Sequence, residues 1–297
     1  VGAEADTKES GVSRAAEIQG QPLSRVARRG SRLGWFINTT ITCSGILGYL
    51  FLYAPIVILV AFSFNSSRFV TTWEGFSLRW YSELFQNEAM ATALKNSLIV
   101  AVVSTVVSTV FGTMVALVME RHRFPGKLAF DALLYLPIII PDIAMAVMLL
   151  LFFVMAKFTL SLTTIIISHV AFNISFVAVV VRARLVGFDR SLEEAAQDLG
   201  ANELQTFWHV TLPLLMPGIL GGALLAFTLS LDDFVITFFT AGVGSTTLPL
   251  RIYSMVKLGI TPEINAVSTL LLVASMTLVM MSLFLQRKGG GSTVEIG

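Results

Sequence analysis

The chain has 297 residues, of which 55 % are hydrophobic and only 13 % charged, and its mean hydropathy is +0.79. Soluble domains carry about 25 % charge, so this composition excludes a disordered chain, a coiled coil and a water-soluble globule, and points to a membrane protein. The formal net charge of +1 supplies no field to attract nucleic acid.

A helix that crosses the hydrocarbon core needs about 20 apolar residues. Six segments qualify in chain order: 34–67, 96–119, 132–156, 158–181, 210–231 and 264–286. The expected fold is therefore all-α, a six-span helical bundle over residues 34–286, with tails at 1–33 and 287–297. The first 30 residues are polar with mixed charge and do not have the pattern of a cleavable signal. Lys8, Arg14, Arg25, Arg28, Arg29 and Arg32 precede the first span. Arg121, Arg123 and Lys127 follow the second, Arg182, Arg184 and Arg190 the fourth, and Arg287 and Lys288 the sixth. The alternate connections hold fewer cations, so the positive-inside rule places both termini in the cytoplasm. The connection after the first span is aromatic, with Phe69, Trp73, Phe76, Trp80, Tyr81 and Phe85. Two roles stay open for it, an interfacial belt or a docking surface for an extracytoplasmic partner.

Chemistry-bearing motifs are sparse. The one cysteine, Cys43, forms no intrachain disulfide, and His122, His169 and His209 form no HExxH pair. No metal site is expected. There is no GxxxxGK[ST] loop, so if ATP is used another chain binds it. No paired nucleophile and base stand within the spans, so an enzyme is not expected. The fourth connection, 187–213, is the most informative stretch. Ser191 is placed to cap a helix in which Glu193 and Glu194 complement the dipole, Gly200 permits a sharp turn, and a second helix starts near Asn202 and runs into the fifth span past Pro213 and Pro217. A helix-turn-helix on the cytoplasmic face is the expected product.

This connection resembles the EAA loop of the ABC importer permeases. Glu194-Ala195-Ala196, then Gly200, Val210 and Leu212-Pro213 stand at the spacing of that motif. The resemblance implies a type I importer permease whose loop inserts into a separate ATPase, with Glu193, Glu194, Ala195, Ala196, Asp198, Gly200, Leu212 and Pro213 as coupling residues. It implies partners too: two ATP-binding subunits that hold ATP and Mg, a second, non-identical permease, and a periplasmic or lipid-anchored solute-binding protein. This chain would hold no cofactor and sit in the inner membrane. Ser77–Phe85, Ala93–Leu98, Pro141–Ile143, Phe227–Phe234 and Leu248–Lys257 narrow the likeness to the C-type permease of spermidine/putrescine importers.

A polycation needs carboxylates, and a carboxylate within a span is costly enough to be a functional candidate by default. Asp142 falls mid-way along the third span, after Pro137 and Pro141, which block helix hydrogen bonds. A broken helix with free carbonyls and a carboxylate suits an ammonium group, the other reading being a buried Asp bonded to a neighbouring helix. Asp232 and Asp233 end the fifth, and adjacent residues on a helix diverge by about 100°, so only one of the two is expected to face the path. The pair reads either as a substrate or receptor contact or as an outer-leaflet topology feature. Phe227, Phe234 and Phe238 share a helical face that suits cation–π contact or ordinary core packing. Glu263 precedes the sixth span, either on the path or as a helix N-terminal charge. The expected path residues are thus Asp142, Asp232, Asp233, Phe234, Phe238 and Glu263. His169 is expected to make a helix–helix hydrogen bond, and Gly218, Gly221 and Gly222 to allow close packing. Other readings are an importer of another solute, such as sulfate or ferric ion, and an ion-coupled carrier. The aspartates argue against anions, and no internal repeat supports the carrier.

Overall fold

The computed structural model describes residues 24–69, 72–259 and 262–289. The tail at 1–23 and the last residues, 290–297, lie outside the described residues. Among the described residues there is no strand, only an isolated bridge between Asn65 and Phe76.

The chain divides into two units, 1–61 and 62–297. The first is built on α1 (Ser24–Phe62), a 39-residue helix. Residues 24–33, expected as tail, are therefore helical. The apolar part of α1, Gly34–Phe62, is long enough to span.

The second unit runs through α2 (Arg79–Gln86), α3 (Glu88–Arg121), α4 (Lys127–Ile139), α5 (Asp142–Met155) and α6 (Leu162–Leu185). It continues with α7 (Ser191–Asp198), α8 (Glu203–Thr206), a π-helical turn (Phe207–Thr211), α9 (Leu212–Asp232), α10 (Val235–Thr240), α11 (Leu248–Leu258) and α12 (Pro262–Gly289). Helix α3, helix α6 and the stretch Glu203–Asp232 are each long and apolar enough to cross a membrane. Helix α12 has 28 residues where the sixth span is expected.

The third expected span is broken, as its prolines imply, into two helices, α4 and α5, bent by 110°. Pro141 makes the break, while α4 continues through Pro137. The residue before a proline is pushed out of the helical region, and Ile140 sits extended at φ −68°, ψ 135°. Asp142 consequently opens α5 instead of lying within a continuous span.

The core is a three-helix contact of α3, α6 and α9. Ala116, Val177, Ala178, Val181, Leu215 and Ala226 are buried there. Glycines set the spacing. A Cβ on Gly112 of α3 would meet Val177 Cβ at 2.7 Å, and one on Gly222 of α9 would meet Val177 Cγ1 at 3.3 Å. Val177 therefore nests between two bare backbones, the close approach that small residues permit in membrane helices. The small-residue face of the fifth span is thus used within this chain at Gly218 and Gly222. A buried polar clasp joins the same three helices. Asn173 Nδ2 donates to Ser230 Oγ at 2.7 Å, and Ser104 Oγ lies 3.0 Å from Ser230 Oγ.

Candidate functional site

Two places carry the expected site residues, at opposite ends of α3, α6 and α9. The first is the connection between α6 and α9. Helix α7 forms where expected, but Ser191 does not cap it. Asp189 Oδ1 accepts the Ser191 N–H at 3.0 Å. This local turn bond holds the exposed Asp189 carboxyl below its usual range. Gly200 takes φ +92°, a left-handed conformation that a side chain would strain, and the Ala201 N–H returns to Ala196 O at 3.0 Å. Asn202 and Gln205 form a reciprocal capping box that starts α8. A π-turn then precedes α9, because Pro213 has no N–H and its ring would crowd the preceding turn.

The turn separates the residues expected to couple. Glu194, Ala195, Asp198 and Gly200 are exposed, as are Leu192, Leu199, Leu204 and Trp208. The surface of α7 and α8 is thus acidic and apolar. Ala196 and Leu212 are half-buried, and Pro213 is exposed. Glu193 turns inward, away from that surface. Its Oε1 accepts from Arg121 Nη2 at the end of α3 and from Thr211 Oγ1 in the π-turn. Sequence reasoning grouped it with Glu194. The 100° rotation between neighbours separates them, and Arg121 and Thr211 had no signal that linked them to it.

The far end holds the carboxylates and rings. Helix α9 stops at Asp232 because Asp233 is extended, at φ −62°, ψ 126°. The side chain of Asp233 then caps α10. Its carboxylate accepts the Ile236 N–H at 3.3 Å, and the Thr237 N–H and hydroxyl at 2.8 and 2.9 Å. Fully buried His169 of α6 lies 3.3 Å from the same carboxylate and 3.2 Å from Thr237 Oγ1. This is the helix–helix bond expected of His169, with Asp233 as a structural centre. Asp232 is the exposed member of the pair.

Three rings cluster beside the break. Phe234 and Tyr253 are 4.5 Å apart, Phe234 and Phe238 5.6 Å, and Phe238 and Tyr253 6.4 Å. Lys257 Nζ stands 5.5 Å from the Tyr253 ring. Phe227 takes no part, because the end of α9 breaks the helical register that would align it. Tyr253 was missed, although it lies one turn from Lys257 on α11. Asp142 is exposed in the first turn of α5, whose Met145 and Ala146 pack against Ile236 of α10. Glu263 is not free. It accepts from Asn87 Nδ2 at 2.8 Å and ties α12 to the cap of α3, which favours its structural reading.

The family model described as "Binding-protein-dependent transport system inner membrane component" matches residues 108–288, more than half of the chain and the part that holds both ends just described. The chain belongs to this family of ABC importer permeases. The permease is 46 % identical over 236 residues to the putrescine transport system permease protein PotI of Escherichia coli (strain K12), covering 77 % of this chain and 84 % of the relative. It is 43 % identical over 249 residues to the spermidine/putrescine transport system permease protein PotC of the same strain, covering 84 % and 94 %. Among solved structures, a bacterial ABC transporter involved in import of the acidic polysaccharide alginate matches with TM-score 0.69 at 19 % identity, covering 89 % of the permease and 99 % of that chain. That last likeness speaks to the fold alone. The all-helical architecture expected from the spans is the fold of ABC importer permeases.

Proposed function

We propose that this permease forms the path for putrescine or spermidine in an ATP-driven importer, with the α7–α8 loop docked on an ATP-binding subunit. The observation that carries the substrate class is the identity, over most of both chains, with permeases named for putrescine and spermidine. Exposed Asp232 and Asp142 and the Phe234–Phe238–Tyr253 ring set support it, since carboxylates and aromatic faces both attract ammonium groups. Asp233 and Glu263 serve that path indirectly, by holding its walls. The docking surface is the exposed set Glu194, Ala195, Asp198 and Leu199, with Gly200 fixing the turn. Two ATP-binding subunits hold ATP and Mg, a second permease completes the path, and a periplasmic or lipid-anchored binding protein delivers the solute. Both termini face the cytoplasm, a placement that the distribution of Lys and Arg supports.

The test is reconstitution of the complete transporter in proteoliposomes. Labelled putrescine or spermidine is expected to enter only with ATP and loaded binding protein, and Glu194→Lys is expected to abolish uptake while the permease still inserts. Uptake that follows an ion gradient without ATP refutes the importer. ATP-driven uptake of sulfate but of neither polyamine refutes the substrate class.

A further inference from the structure

We infer that Glu193 is the tether through which the coupling loop grips the membrane helices, and not a contact for the ATP-binding subunit. This rests on the importer reading above and assigns a different part to one of its residues. Glu193 and Glu194 are neighbours on α7 with opposite surroundings. The Glu194 side chain is exposed and has no partner among the described residues. The side chain of Glu193 is 15 % exposed and takes two bonds, from Arg121 of α3 and from Thr211, which is 1 % exposed and ends the π-turn at the head of α9.

The tether continues sideways. Glu120 precedes Arg121 on α3, and its Oε2 lies 3.9 Å from Arg182 Nε of α6. Arg182 Nη1 in turn donates to Asp131 of α4. Two polar networks, linked only through the backbone of α3 at Glu120 and Arg121, therefore tie the loop-side ends of α4, α6 and α3 together and α3 to α7 and the start of α9. These ion pairs are half-shielded, so salt screens them less than it would an exposed surface pair. A push on α7 reaches α3 and α9 together through one carboxylate. Without Glu193 the loop is held to the helices by its two backbone connections and by α7 packing against the π-turn, and force is lost in bending them.

The complete transporter decides this. Glu193→Ala is expected to keep its ATP-binding subunits on co-purification but to lower transport per ATP hydrolysed about tenfold. Glu193→Gln, which keeps an acceptor for both donors, is expected to recover most of that loss. Arg121→Ala and Thr211→Val are each expected to show a milder form of the same uncoupling, and they carry the comparison if the Glu193→Ala permease does not fold and insert. Coupling at the wild-type level in Arg121→Ala and Thr211→Val, or in Glu193→Ala, overturns the tether. Loss of the ATP-binding subunits in Glu193→Ala alone also overturns it, because that is how a contact residue behaves. Glu194→Lys separates the two ideas. If it blocks transport while Glu193→Ala does not, the tether falls and the docking surface stands. If neither blocks transport, the docking surface falls as well.

Discussion

Asp232 and Asp233 are chemically identical and adjacent, and their surroundings give them different tasks. Asp233 accepts two backbone N–H groups, a hydroxyl and a contact from His169 with its side chain only 12 % exposed. Removing the carboxylate leaves those groups facing each other without an acceptor. Asp233→Ala is expected to cost about 3 kcal/mol of stability, read as a lower unfolding temperature of the purified permease. Asp232→Asn sits on an exposed carboxylate and is expected to stay within about 0.5 kcal/mol of wild type while it lowers polyamine uptake. The opposite ranking in the thermal measurement would remove Asp233 from its structural role. Helix geometry set one of the two aspartates apart from the other but not which, because no spacing rule announces that α9 ends between them.

At the scale of elements, α6 organises the second unit. It presents Val177 to glycines on two helices at once, and its Arg182 and His169 reach partners at its two ends. The space at Gly112 is filled already by Val177 Cβ and Cγ1 and by Ile174 O. Gly112→Leu is thus expected to destabilise by about 1–3 kcal/mol through overpacking. Gly45→Leu in α1, where a Cβ meets nothing within 4 Å, is expected to be tolerated. Thermal unfolding of the two variants in detergent compares them directly, and equal midpoints would argue against the nested contact. The broken third span teaches the converse lesson. Pro141 was legible as a helix breaker, but the 110° turn follows from how α4 packs beside α6 and α5 against α10, and neither contact is local in sequence.

For the whole molecule, orientation is the property that joins the two ends to a mechanism. The Lys and Arg distribution predicts the loop of α7 and α8 on the cytoplasmic side and the turn before α2 on the other. Single cysteines in a Cys43→Ser background test this. Ser191→Cys is expected to react with a membrane-impermeant maleimide only in inside-out vesicles, and Glu74→Cys only in right-side-out vesicles. Both residues labelling from one side would overturn the orientation.

By itself the sequence determined the solvent, the all-helical class, the helix-turn-helix between α6 and α9 and the family to which it points. Hydrophobic runs, proline and glycine positions and a spaced motif are local signals, so they are readable along the chain. Tertiary structure alone decided which carboxylates are free. Glu193, Asp233 and Glu263 were expected in functional sets and instead bond to Arg121 and Thr211, to His169 and Thr237, and to Asn87. Most of those partners lie far away in sequence, and a side chain's availability depends on who else reaches it once the helices pack.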